Sequence, residues 1–228
     1  MLIFLDTETT GLEKTDKIVS IALIAIDGDE VIMKNDLINE GKKIPPKASS
    51  INHITNEMIK NKPALRDSET FKFLELNNLY DTIIVSHNVN FDLGMLNSNC
   101  NFEWQGKTID TLRCSKHLMP ECEEFSLQFL RYELKLYKYE KEKIIPHEAL
   151  SDVRVTKLLY ESLLELAPKE RLVDLTTKNV LMNKFEFGKY AGRYIEEISM
   201  IDRGYLEWMV SNIMDLDEDL RYSIEYHL

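Results

Sequence analysis

Apolar and polar positions alternate between two regimes along this chain. Residues 2–5 form an unbroken apolar run that leads straight into Asp6, the pattern of a buried strand. Residues 18–26 are apolar and β-branched almost throughout, broken only by Ser20, as expected of a central strand. Asp27-Gly28-Asp29 signals a tight hairpin turn, so residues 31–38 should return as a third strand. Residues 82–85 read as a short apolar strand ending in Ser86-His87-Asn88, and residues 108–110 as a fifth. Elsewhere the apolar spacing is helical, over 48–60, 69–80, 91–97, 111–117 and 126–136. The longest helix is expected over 148–166, after Pro146, with Val155, Leu158, Leu159, Leu163 and Leu166 as its apolar stripe. Residues 138–143, "KYEKEK", read as a solvated charged connection.

Three strands joined by hairpins, followed by strands alternating with helices, predict an α/β layer fold with a mixed sheet. A second unit is expected from about Thr176. In it, residues 185–194, "FEFGKYAGRY", suggest short strands with glycine turns, followed by helices over 203–213 and 218–226. The expected division is a main domain over residues 1–168 and a small α+β appendage over 176–228. A length of 228 residues suffices for either one core with an appendage or two domains.

The formal net charge of −11 argues against a nonspecific nucleic-acid coat protein, which would be basic. It does not argue against an enzyme that binds cations and meets a phosphate chain at one site, because a local field can differ in sign from the average. The cysteines, Cys100, Cys114 and Cys122, are odd in number and not spaced as zinc ligands, so free thiols in a reducing cytoplasm are expected. No apolar stretch approaches the roughly 20 residues of a membrane span. Asp6 interrupts the N-terminal run and no basic region precedes it, so neither a signal peptide nor a membrane partner is expected.

Candidate chemistry begins where the first strand ends. Asp6 and Glu8 are two residues apart, so in extended chain both point to one face, roughly 7 Å apart along the strand. They could share a hard divalent cation such as Mg²⁺. A lone Asp-x-Glu is more often a solvated strand end. In "SHNVNFDLGML", residues 86–96, Asn88 or Asn90 could cap a helix, and Asp92 alone would be a first-turn acid favoured by the helix dipole. In "PHEALSD", residues 146–152, His147 and Asp152 alone would be an ordinary helix start. All three segments nevertheless lie at strand ends or helix starts, where a doubly wound sheet gathers its functional groups.

Taken together, Asp6-Thr7-Glu8-Thr9-Thr10-Gly11, His87-Asn88-x-x-Phe91-Asp92 and His147-x-Ala149-x-x-Asp152 resemble the three motifs of the DEDDh 3′–5′ exonucleases, in order and spacing. Ile51-x-His53-Ile54-Thr55 and Asp110-Thr111-Leu112 resemble lesser family segments. "FGKYAGRYIEEI" and "GYLEWMVSNI" resemble the tail of the exodeoxyribonuclease X branch of that family. The resemblance implies an RNase H-like mixed five-stranded sheet flanked by helices. It also implies hydrolysis of phosphodiester bonds by two divalent ions, Mg²⁺ with Mn²⁺ able to substitute. Asp6, Glu8 and Asp152 would hold the ion that activates water, Asp6 would bridge to the second, Asp92 would support that second ion, and His147 would be the general base. Four carboxylates within a few ångströms would repel one another without such cations, which agrees with that implication.

By the same resemblance, the Thr9 backbone would meet the terminal 3′-hydroxyl and Leu12 would wedge beside the last base. Gly11 would let the backbone turn and approach closely, and His53, Asn88 and Phe91 would line or support the nucleotide site. In the tail, Lys184, Lys189 and Arg193 interleave with Phe185, Phe187, Tyr190 and Tyr194 and face only Glu186 nearby in sequence. Lys189 and Arg193 are therefore candidates to hold DNA, with a small structural core as the plain alternative. Tyr205, Leu206, Trp208 and Met209 have the spacing of a helix buried in a core.

The expected partner is DNA with a 3′ end, single-stranded or duplex. An RNase T-like exoribonuclease and a polymerase proofreading subunit are the enzymatic alternatives, with RNA as the substrate of the first. A non-catalytic nucleic-acid-binding protein that keeps the fold is the alternative of another class. The sequence names no protein partner.

Overall fold

The computed structural model describes all 228 residues, Met1–Leu228. Its strands are β1 (Leu2–Thr9), β2 (Ile18–Asp27), β3 (Glu30–Leu37), β4 (Ile83–Ser86) and β5 (Lys107–Asp110). They form one mixed sheet in the order β3-β2-β1-β4-β5. β1 pairs antiparallel with β2 and parallel with β4, and β5 adds parallel to β4. The expected five strands are thus all present, and the β2–β3 hairpin closes at Asp27↔Glu30, where the turn signal lies.

The helices are α1 (Pro46–Asn52), α2 (Asn56–Ile59), α3 (Glu69–Leu76), α4 (Val89–Cys100), α5 (Thr111–Leu118), α6 (Leu127–Glu133), α7 (Ala149–Leu164), α8 (Lys169–Thr176), α9 (Ile195–Ile201), α10 (Arg203–Asn212) and α11 (Glu218–His227). The single helix expected over 48–60 is broken. His53 ends α1 in the left-handed region at φ 60°, and the Thr55 hydroxyl caps α2 by accepting from Met58 N–H. The helices α8 and α9 had no clear sequence signal.

The chain divides into two compact units, Met1–Cys114 with Glu124–Thr176, and Ser115–Glu123 with Thr177–Leu228. In the first, β1 is buried on both faces. Ile3 and Leu5 join Phe71 and Leu74 of α3 and Met95 and Leu96 of α4 in one core. Phe4, on the opposite face, meets Tyr160 of α7 edge to face at 5.4 Å. Each such buried side chain is worth about 1.5–3 kcal/mol, so β1 is a rigid mount for whatever its C-terminal end carries. There the register with β2 slips between Glu8 and Thr9, a bulge of the kind that re-aims side chains.

The second unit has its own core of Phe185, Ile195, Ile198, Leu206, Met209 and Ile224. Residues 185–194, expected as short strands, instead form turns closed by one bridge, Lys184↔Tyr194. Gly188 and Gly192 both sit at φ 80°, and the Gly192 N–H donates to the Phe185 carbonyl at 2.7 Å, folding the segment back too tightly for strands. Leu206 and Met209 are buried as expected, but Trp208 is 53% exposed, stacked beside Tyr205. None of the three cysteines forms a disulfide. No helix is long and apolar enough to cross a membrane.

Candidate active site

The period-two alternation of β1 sorts its C-terminal residues between two helices. Asp6 and Glu8 share the parity of Phe4 and point to the α7 face. There their ligand oxygens and one of Asp152 lie within 4.8 Å of one another. Thr7 has the parity of Ile3 and Leu5 and points to the α4 face, where its hydroxyl donates to Asp92 Oδ1 at 2.7 Å. Ser86, at the end of β4, donates to the other Asp92 oxygen at 2.5 Å. Asp92 is therefore beside the cluster but outside it, its carboxylate held by two hydroxyls. It is a first-turn acid of α4, as its position suggested, but only 2% exposed.

Asp152 is buried in the first turn of α7. Its Oδ2 accepts the His147 backbone N–H at 2.9 Å and its Oδ1 accepts from Gln128 Nε2 at 2.8 Å. Just ahead of α7, Glu148 N–H donates to the Ile145 carbonyl, closing a turn with Pro146 second and His147 third. His147 there has φ 61°, a left-handed conformation usually left to glycine or asparagine. His147 is exposed, in the turn that leads into α7 and Asp152.

Asp6 and Glu8 differ from Asp92 and Asp152 in one respect. Both are half-buried, yet neither carboxylate accepts a hydrogen bond from the protein or pairs with a cation. Burial, then the charges of Asp92, Asp152 and Glu8, raises the Asp6 pKa well above the ordinary carboxylate value. Burial and the charges of Asp152 and Asp92 push Glu8 up to about 8. Burial lifts Asp92 to about 6 against the Ser86 and Thr7 hydrogen bonds. Burial likewise lifts Asp152 to about 6 against His147, Gln128 and Arg131. Proteins stabilise such crowded acids with protons or cations, and an all-oxygen donor set suits a hard divalent ion.

The β1–β2 loop closes one side of this site. The Thr9 hydroxyl donates to Gly11 O at 2.6 Å, and Leu12 beside it is 83% exposed. A Cβ on Gly11 would lie 2.4 Å from Asp16 Oδ2. The close approach at Gly11 is thus to Asp16, which accepts from Thr10, Glu13 N–H and Lys42 and so pins the loop. Buried Asn52 donates to Thr9 O at 3.2 Å and accepts from Ile54 N–H, setting exposed His53 beside the end of β1.

Asn88 occupies the cap position of α4 at φ 73°, but its side chain caps nothing. Asp110 does the capping, accepting from the N–H groups of Asn88, Val89, Leu112 and Arg113. Phe91 is half-buried against the α3–α4 core. His87 is half-buried, with Nε2 bonded to Phe125 O and Nδ1 to Thr111, so it is a brace between β4, α5 and the segment before α6.

In the second unit, the expected run of uncommitted cations is absent. Lys189 pairs with Asp202 at 2.9 Å and lies over the Tyr190 and Tyr205 rings, and Arg193 pairs with Glu197. Glu186 is therefore not their only acidic neighbour, since the fold brings two further acids from α9 and its C-terminal end. Sequence reading gave no role to Thr7, Ser86, Asn52, Gln128 or Asp110, although Thr7 lies inside the first motif and Asp110 inside a lesser one.

Comparison with known proteins places these features in a family. Residues 3–160 match the exonuclease family model of RNase T type, and residues 185–214 match the exodeoxyribonuclease X-like C-terminal model. Exodeoxyribonuclease 10 of Escherichia coli (strain K12) is 30% identical over 232 residues, 100% of this chain and 99% of that protein. DNA polymerase III subunit epsilon of Treponema pallidum (strain Nichols) is 31% identical over 70% of this chain and 74% of its own length. A solved structure of Exonuclease X in complex with 5′ overhanging duplex DNA matches with TM-score 0.64 and 27% identity, covering 77% of this chain and 99% of that one. Escherichia coli Exonuclease I in complex with a dA16 oligonucleotide, 21% identical, shares the fold with TM-score 0.54 over 76% of this chain and 42% of its own. The chain therefore belongs to the DnaQ-like, RNase H-fold family of 3′–5′ exonucleases.

Proposed function

We propose that the chain is a metal-dependent 3′–5′ exodeoxyribonuclease. It would hydrolyse the terminal phosphodiester bond at the 3′ end of single-stranded or duplex DNA and release nucleoside 5′-monophosphates. The observation that carries this reading is the state of Asp6 and Glu8, half-buried acids with no internal partner, clustered with Asp152 within 4.8 Å. The family is divalent-metal dependent, and the donor set fits. Asp6, Glu8 and Asp152 would hold one ion, with Asp6 and Asp92 serving a second, and Mg²⁺ is the expected metal. Two such ions supply charge neutralisation and a clamp on the attacking and leaving oxygens of an in-line displacement.

The chain's own groups do the rest. Exposed His147 takes the proton of the attacking water on its ring nitrogen, a task suited to imidazole near neutral pH. Its backbone N–H meanwhile holds Asp152. Attack at phosphorus breaks the bond to the 3′ oxygen of the penultimate nucleotide, and that oxygen takes a proton from solvent to leave a new 3′-hydroxyl end. Thr9 and Gly11 would seat the terminal nucleotide, and exposed Leu12 would press against its base. His53, Asn88 and Phe91 flank that seat. Residues 1–168 carry all of these groups. For residues 176–228 the pairing of Lys189 and Arg193 with acids favours a structural role over DNA binding.

The test compares labelled single-stranded DNA, duplex DNA and RNA with Mg²⁺ or Mn²⁺ and with EDTA. Shortening of DNA from the 3′ end that stops with EDTA and with Asp6→Ala is the expected result. Undiminished activity in folded Asp6→Ala would overturn the site, and preference for RNA would favour the exoribonuclease alternative.

A further inference from the structure

A chain of hydrogen bonds runs from the charged connection after α6 to the acid cluster. Glu140 belongs to "KYEKEK", which composition marks as solvated, yet its side chain is only 11% exposed. It accepts two bonds from Arg131 of α6, at 2.6 and 2.9 Å, the fork geometry that holds a guanidinium most firmly. Arg131 is itself 8% exposed. Its remaining arm donates to Gln128 Oε1 at 3.1 Å, one turn back on α6. Gln128 Nε2 then donates to Asp152 Oδ1 at 2.8 Å.

The order of donors leaves no freedom. A guanidinium only donates, so it claims the amide oxygen of Gln128, and the amide nitrogen must then face Asp152. An unanchored glutamine could turn either end to the carboxylate, and its oxygen would repel it. Burial makes the anchoring firm, since an unpaired Arg131 or Glu140 there would be costly. Asp152 Oδ2 is fixed separately by the His147 N–H. With both oxygens tethered, the carboxylate keeps one orientation toward Asp6 and Glu8.

We propose that Gln128 is a positioning residue for Asp152, oriented by the Arg131–Glu140 pair, and that this brace sets the cation affinity of the acid cluster. The proposal rests on the metal-dependent reading above. It also assigns the connection at residues 138–143 a part in the site, because Glu140 must fold inward for Gln128 to be aligned. Groups that orient metal-holding side chains typically contribute 10–100-fold to metal affinity.

The test measures Mn²⁺ binding to the full chain by calorimetry and by electron paramagnetic resonance, without substrate. Gln128→Met keeps side-chain length and loses the donor. Gln128→Glu keeps shape and the Arg131 contact but turns an acceptor toward Asp152. Arg131→Lys keeps the charge and loses the fork. The Mn²⁺ dissociation constant is expected to rise about 10–100-fold in Gln128→Met and at least as far in Gln128→Glu. Arg131→Lys should move it the same way by less. A thermal midpoint within a few degrees of wild type in either Gln128 variant shows that packing is intact. Wild-type Mn²⁺ affinity in both folded Gln128 variants overturns the role of Gln128 alone. No Mn²⁺ binding by the wild-type chain overturns the metal reading and this brace with it.

Discussion

Thr7 donates its hydroxyl to Asp92 at 2.7 Å across 85 residues of sequence, from the strand position between Asp6 and Glu8. One strand end thus serves two helices. Its even-numbered acids meet Asp152 on α7, and the threonine between them holds Asp92 on α4. The motif needs a hydrogen-bond donor at its centre as much as acids at its flanks, because Asp92 is buried and the Thr7 hydroxyl is one of only two hydroxyls that hold it.

Thr7→Val keeps the shape and removes that donor. Losing one hydrogen bond to a buried charged group costs about 1–3 kcal/mol, equivalent to a fall of a few degrees in thermal midpoint for a chain of this size. Activity should fall by about ten-fold or more, since Asp92 then loses one of the two hydroxyls that orient its carboxylate. Thr7→Ser should recover most of both. Differential scanning calorimetry and steady-state rates on one labelled oligonucleotide check the pair. Equal rates for Thr7→Val and wild type would remove Thr7 from the site.

The acid cluster makes the metal-free protein sensitive to alkali. A carboxyl group whose folded pKa lies above its unfolded value takes up protons on folding. Its contribution is therefore complete below about pH 4 and is lost as pH rises through the folded value. For Asp92 and Asp152 that loss runs from about pH 4 to about pH 6, and for Glu8 from about pH 4.5 to about pH 8. In EDTA, Glu8→Gln should equal wild type in stability near pH 4 and exceed it by about 1–3 kcal/mol near pH 8.5. Mg²⁺ should reverse the order, because the cation then competes with fewer protons for the wild-type acids. Thermal melts at the two pH values, with and without the ion, give the four numbers needed. A stability difference that does not change with pH would contradict the assignment of Glu8 to the cluster.

His147 stands third in a turn that favours glycine or asparagine, at φ 61°. Its backbone N–H holds Asp152, and its exposed ring makes no hydrogen bond, so the ring is available for proton transfer. His147→Asn should fold as well as wild type or slightly better, and should keep the N–H bond to Asp152 and Mn²⁺ binding. The rate constant should fall by about 10²–10⁴, the range for loss of a general base. Activity within a few-fold of wild type would assign the proton transfer elsewhere.

Much of this arrangement was legible in the chain. The apolar run into Asp6 and the Asp27–Asp29 turn signal rest on local period and turn chemistry, so the five strands and the mixed sheet could be read from them, and the three motifs pointed to the candidate acids by resemblance. The roles of Thr7, Ser86 and Gln128 were not legible, since what they hold lies 85, 6 and 24 residues away and only the closed fold brings them together. Glu140 was misread for a related reason: its local sequence is charged and looks solvated, but a buried arginine nine residues earlier draws it in. Residues 185–194 look like strands by composition, yet two left-handed glycines turn the backbone before a ladder can form.

The tail shows the same limit in electrostatic form, and it yields a last expected outcome. Lys189 is committed to Asp202, whose carboxylate also accepts the Tyr190 hydroxyl at 2.6 Å, and Arg193 is committed to Glu197. To contact phosphate, each cation would first have to leave a carboxylate, and the freed acid would then repel the same phosphate chain. Two genuine phosphate contacts would contribute about 1.4–1.8 to the slope of log affinity against log salt concentration, at 0.7–0.9 per contact. The Lys189/Arg193 double alanine variant should therefore leave that slope unchanged, with a small loss of thermal stability as the turn loses its ties to Asp202 and Glu197. Fluorescence anisotropy of a labelled oligonucleotide between 50 and 200 mM salt measures it. A slope flattened by more than about one unit would mean that DNA displaces the two acids, and the second unit would then belong to the binding surface.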